Sequence, residues 1–161
     1  GGEPSLRSRL AAVAPRGYGA ADVLALGVAA QVGYWNTPGV SRPRDVPRAI
    51  DGLVAADAAA LGVRFSWADF VRWYESRGGL GKPPTAVTAE DAKPYDGERA
   101  NFIQRLAAAL EVAREESIVR RIEASLRAHK RVLVVYGSGH LVRQRKVWEK
   151  ALGKSRDEKP Y

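Results

Sequence analysis

Val132-Leu133-Val134-Val135-Tyr136 is an unbroken apolar run, three of its five residues β-branched. Such side chains suit a pleated, packed surface. A run with no polar alternation suits a strand covered on both faces, as in a parallel sheet. That strand cannot stand alone, because its N–H and C=O groups would be buried without partners. No comparable run occurs elsewhere in the 161 residues. The sequence therefore predicts a helix-rich α/β fold with a parallel-type strand over 131–136 flanked by helices. The other strands are either short ones poorly visible in the first third or lie outside this chain. The chain contains no methionine, even at position 1. This favours the second option: the C-terminal portion of a larger α/β fold, its sheet completed by an N-terminal portion or by a second chain.

Around the run the chain reads as helices. A short one is predicted over 5–14. Residues 20–34 are apolar nearly all round, which predicts a buried helix. Residues 45–60 bring Ile50, Leu53, Val54, Ala58 and the following Leu61 to helical spacing. Ser66-Trp67-Ala68-Asp69 resembles a capping box with Asp in the Glu position, opening a helix over about 67–77. Trp35, Trp67, Trp73 and Tyr74 read as core or interface residues, given their helical positions. Residues 78–97 hold four glycines and three prolines, which predicts a flexible loop or lid. A long helix follows over about 98–128, with an inward stripe of Phe102, Leu106, Leu110, Ala113, Ser117 or Ile118, Ile122 and Leu126. Glu116–Arg120 and Glu123–Arg127 are favourable i,i+4 pairs. Residues 141–152 form a closing helix, and 154–161 a frayed tail. The whole reads as one domain, 1–161, or as the C-terminal portion of one.

The predicted strand ends in Gly137-Ser138-Gly139-His140 and leads into a helix. Ligands of open parallel sheets sit beyond the carboxyl ends of the strands. Glycines at 137 and 139 would let the backbone turn sharply and approach a ligand. Three readings stay open. His140 is a general acid or base or a metal ligand, since imidazole titrates near neutral pH. Gly137, Ser138 and Gly139 cradle an anion at the helix N-terminus, although Val142 stands where a dinucleotide fingerprint needs glycine and the Gly-Lys-Ser/Thr of a P-loop is absent. Or the turn is structural. Arg99 and Arg114 are candidates to bind a substrate carboxylate or phosphate through the planar guanidinium.

Residues 113–153, AREESIVRRIEASLRAHKRVLVVYGSGHLVRQRKVWEKALG, resemble the C-terminal signature of the TraB/TIKI/GumN family and the related ChaN and erythromycin-esterase groups. The match rests on Arg114, Ile118 and Ile122 in the helix and on Gly137 to His140 with Leu141 at the strand end. The resemblance implies an α/β fold and metal-dependent peptide or ester hydrolysis. It would make His140 a metal ligand or catalytic residue on a divalent ion such as zinc, manganese or cobalt. It would also make an acidic residue, for which Glu3 is the candidate, its catalytic partner. The family's upstream Gly-x-x-His or Gly-Glu-x-x-His is absent; the other histidine, His129, sits at a basic helix end.

Charge supports a different class of function. The net charge is +8. Residues 1–96 carry 11 Lys/Arg and 10 Asp/Glu, whereas 97–161 carry 15 and 8. Nine basic residues and one acidic one, Glu149, lie between Arg127 and Arg156. The alternative reading is a non-catalytic helical module that binds an acidic partner or nucleic acid through the 127–156 face. Nucleic acid is the less favoured partner, because no aromatic residues interleave with the charges. The absence of cysteine excludes disulfides and thiol catalysis. No apolar run approaches the ~20 residues a membrane-spanning helix needs.

Overall fold

The computed structural model describes residues 14, 15, 17–129, 131–135 and 137–153. The helix predicted over 5–14, the candidate Glu3, Tyr136 and the tail from 154 lie outside the described residues. Among the described residues there are five α-helices: α1 (Ala20–Trp35), α2 (Val46–Ala60), α3 (Trp67–Glu75), α4 (Phe102–Ala128) and α5 (Ser138–Leu152). No strand occurs among them, so the α/β expectation is overturned. The physical reason is the one that made the lone strand suspect. A strand is held by cross-strand pairing, and most of the other buried apolar residues among the described ones lie in helices. Residues 131–135 have no regular structure, with Leu133 90% and Val135 86% exposed.

The chain divides into two compact units, Gly1–Ala113 and Arg114–Tyr161, the boundary falling inside α4. In the first unit, α1 is rich in alanine and starts at Gly19, whose N–H donates to Asp22 Oδ2 at 2.9 Å. Its apolar circumference is matched by burial on most sides, including Val23, Leu24, Val28, Ala29 and Val32. Asp45 caps α2 by accepting the Arg48 N–H at 3.0 Å. This helix buries one stripe, Val46, Ile50, Val54 and Ala58, and leaves Leu53 exposed. Ser66 caps α3 by accepting the Asp69 N–H at 3.3 Å. Its hydroxyl donates to the Asp69 carboxylate at 2.5 Å. Phe70, Trp73 and Tyr74 then enter the core with Phe102, in stacked, tilted and edge-on ring contacts with centroids 5.4–6.1 Å apart.

Residues 78–97 are anchored along their length. They contain two single-turn 3-10 segments, Pro84–Ala86 and Glu90–Ala92, with Val87 fully buried between them. The Asn36 amide at the end of α1 donates to the carbonyls of Thr85 at 2.9 Å and Val87 at 2.7 Å. A Cβ added at Gly33 would lie 2.7 Å from the backbone of Thr88 and Ala89. The backbones therefore meet where a side chain is missing.

The second unit contains the C-terminal half of α4 and all of α5. Every apolar residue buried among the described residues lies before position 114. The predicted α4 stripe is accordingly buried at Leu106, Leu110 and Ala113 but not at Ile118, Ile122 or Leu126. What this unit buries instead is polar: Gln144, only 2% exposed.

Candidate functional site

α5 begins one residue before the glycine at 139. Gly137 is its N-cap, with φ −66° and ψ 149°, and its carbonyl accepts the His140 N–H at 3.0 Å. Neither Gly137 nor Gly139 has positive φ, and a Cβ added to either would meet nothing within 4 Å. The backbone at 137 and 139 therefore does not itself require glycine. Ser138 is the first helical residue.

Within α5, His140, Gln144 and Trp148 recur every four residues and share one face. That face meets Glu115 on α4. His140 Nδ1 lies 2.6 Å from Glu115 Oε1. The Gln144 amide donates to Glu115 Oε2, also at 2.6 Å. The Trp148 indole N–H donates to the Gln144 side-chain carbonyl at 3.1 Å. Arg114 and Arg143 stand 3.7 Å from Glu115 Oε1. The donors and acceptors agree: an amide whose oxygen takes the indole N–H must turn its NH₂ toward the carboxylate. Burial alone would push the Glu115 carboxyl up; the hydrogen bonds from Gln144 and His140 and the charge of Arg114 hold it below the ordinary glutamate value. An ionised carboxylate only accepts, so Nδ1 of His140 carries the hydrogen that faces it. Nε2 is then the ring nitrogen turned away from Glu115 Oε1.

Of the sequence candidates, the structure brings His140 and Arg114 to one carboxylate. Arg99 is exposed in the turn before α4 rather than on the helix, and it belongs to the first unit. His129 is exposed just beyond the end of α4. Glu115, Gln144 and Trp148 escaped the sequence reading. The signal for two of them was the four-residue spacing from His140; nothing local marks Glu115 among the other acidic residues of α4.

For a divalent metal, the described residues offer His140 Nε2, backed by Glu115 on the other ring nitrogen as an orienting carboxylate. No group of three or more His, Cys, Asp or Glu side chains converges among the described residues. A catalytic zinc commonly takes three protein ligands, so the residues at hand do not complete such a site. No described helix is long and apolar enough to cross a membrane.

The outer side of the unit is basic. Arg127, Arg143 and Arg145 expose 82%, 51% and 72% of their side chains. Arg131, Lys146 and Lys150 are exposed as well. No family model, curated protein or solved structure matches the chain.

Proposed function

We propose that the C-terminal unit is a binding module that engages an acidic protein surface through Arg127, Arg131, Arg143, Arg145, Lys146 and Lys150. The observation that carries this reading is the sorting of charge. Glu115 is turned inward and engaged by His140 and Gln144, while the lysines and arginines stay in water. Three of them also reach carboxylates, Arg127 to Glu123 and Arg143 to Glu115 at 3.7 Å and Arg145 to Glu149 at 2.7 Å, yet their side chains remain more than half exposed. An exposed cluster of one sign steers an oppositely charged partner and loses strength with salt. In this reading His140 is a clamp that holds α5 to α4.

The test is anisotropy titration of labelled polyglutamate over a salt series, with the double variant Lys146→Glu/Lys150→Glu. Binding should weaken with salt, and the variant should lose about tenfold or more in affinity with an unchanged circular dichroism spectrum. Binding indifferent to salt and to the variant overturns the reading. Tighter binding to a DNA duplex than to polyglutamate would transfer the face to nucleic acid.

The contact between His140 and Glu115 favours a second reading, the hydrolytic one. A carboxylate on Nδ1 orients an imidazole to act as base or ligand through Nε2. Calorimetry with zinc, manganese and cobalt on the chain and on His140→Ala decides it. Saturable binding lost in the variant supports this reading; identical titrations remove it.

A further inference from the structure

Residues 131–135 combine three properties that separately would be unremarkable in a loop. After Arg131, the side chains of 132–135 are apolar and largely in water: Leu133 and Val135 stand out, while Val134 is 38% exposed and Val132 is half-buried. The exposure alternates with the two-residue period of an extended chain. Among the described residues, no backbone hydrogen bond joins any N–H or C=O of 131–135 to another backbone group. A row of backbone groups without backbone partners among the described residues, carrying β-branched side chains, is the kind of surface on which strand addition takes place.

Charge selects the occupant. Residues 114–161 hold 13 Lys/Arg and 6 Asp/Glu, a net of +7. Two copies pairing through this segment would bring two such charges together, a cost that salt screens only in part. An acidic chain is attracted instead. Nucleic acid would satisfy the charge but has no use for Leu133, Val134 and Val135. These residues offer no aromatic ring for base stacking.

We propose that residues 131–135 dock an extended, acidic polypeptide segment of a partner protein by intermolecular strand pairing, with the surrounding arginines and lysines holding its carboxylates. This rests on the basic-face reading above and adds the form of the partner. Main-chain hydrogen bonds would supply affinity, and alternate side chains would supply choice.

The probe is a synthetic peptide of about ten residues alternating valine and glutamate, a usual strand length. Its control has the same residues with a central proline, which keeps the charge but cannot complete the ladder. Anisotropy gives affinity, and hydrogen exchange read by mass spectrometry gives protection at 131–135. The variant Val134→Pro deletes one N–H in a segment outside every helix, and circular dichroism checks that the helices remain. The expected result is binding of the alternating peptide, protection at 131–135, and loss of about tenfold or more in affinity for both Val134→Pro and the proline peptide. Equal binding of both peptides to both proteins, without protection, overturns strand pairing and leaves the basic face standing. Binding of neither peptide overturns the pairing and the basic face together. Sedimentation showing a dimer that Val134→Pro dissolves would overturn the acidic partner in favour of a second copy.

Discussion

Glu115 accepts two N–H groups at 2.6 Å and passes a third donor's hold through Gln144 to Trp148. Truncating it would leave the buried Gln144 amide facing no acceptor, and an unmet buried polar group costs more than a bond is worth on balance. Glu115→Ala should therefore destabilise the α4–α5 contact by roughly 1–3 kcal/mol, seen as faster hydrogen exchange over 138–152. His140→Ala removes one donor from an acceptor that keeps Gln144, so its effect should be smaller. Acidity should reproduce the loss. The folded Glu115 carboxyl lies below its ordinary value, so the unfolded chain takes up the proton first as pH falls. Its stabilisation is complete above about pH 4.3, the unfolded glutamate value. It drains away as pH falls from there through the lower folded value. Exchange over 138–152 measured from pH 6 downward should accelerate across that window, and Glu115→Gln should flatten the response.

At the scale of elements, two glycines inside helices make opposite predictions. Gly52 in α2 has nothing within 4 Å of an added Cβ. Gly52→Ala should raise stability by roughly 0.5–1 kcal/mol, because alanine costs less backbone entropy in a helix. Gly33 in α1 has the backbone of Thr88 and Ala89 where its Cβ would go, and backbone cannot swing aside as a side chain can. Gly33→Ala should lower the melting temperature and free residues 84–92, and thermal unfolding of the pair checks both signs. Helix starts were legible where the cap is a single local residue, as at Ser66. The apolar pattern predicts a start for α4 at about 98, four residues before the observed one at Phe102. Asn101 Oδ1 accepts the Gln104 N–H at 2.9 Å, and Gln104 Oε1 accepts the Asn101 N–H at 3.0 Å. This is a reciprocal capping box that sets the helix start at Phe102. Residues 78–97 read as a loop because glycine and proline break regular structure. Their anchoring on Asn36 and Gly33, more than forty residues upstream, had no local sign.

For the whole molecule, stability should divide as burial does. The first unit holds every buried apolar residue among the described ones, whereas the second relies on Gln144 and the Glu115 bonds. Hydrophobic burial is the dominant favourable term in folding. Native-state hydrogen exchange should therefore be slowest in α1, α2 and α4 before Arg114, and faster from 114 to 153. Uniform protection through α5 would contradict this division.

The sequence by itself determined the helices, because helical period, caps and i,i+4 pairs act within a few residues of one another. The Glu116–Arg120 and Glu123–Arg127 pairs form as the spacing implies, at 3.5 and 3.7 Å. It also set the basic charge of the last third and a closing helix over 141–152, which the structure starts earlier, at Ser138, so that His140 lies in the helix and not in the turn before it. The strand is another matter, because β structure exists only between segments. Local propensity at 132–135 has no power to create the partner whose backbone it needs. Likewise, that His140 meets Glu115, 25 residues earlier, is decided by how α5 lies against α4. No spacing along one helix contains that information.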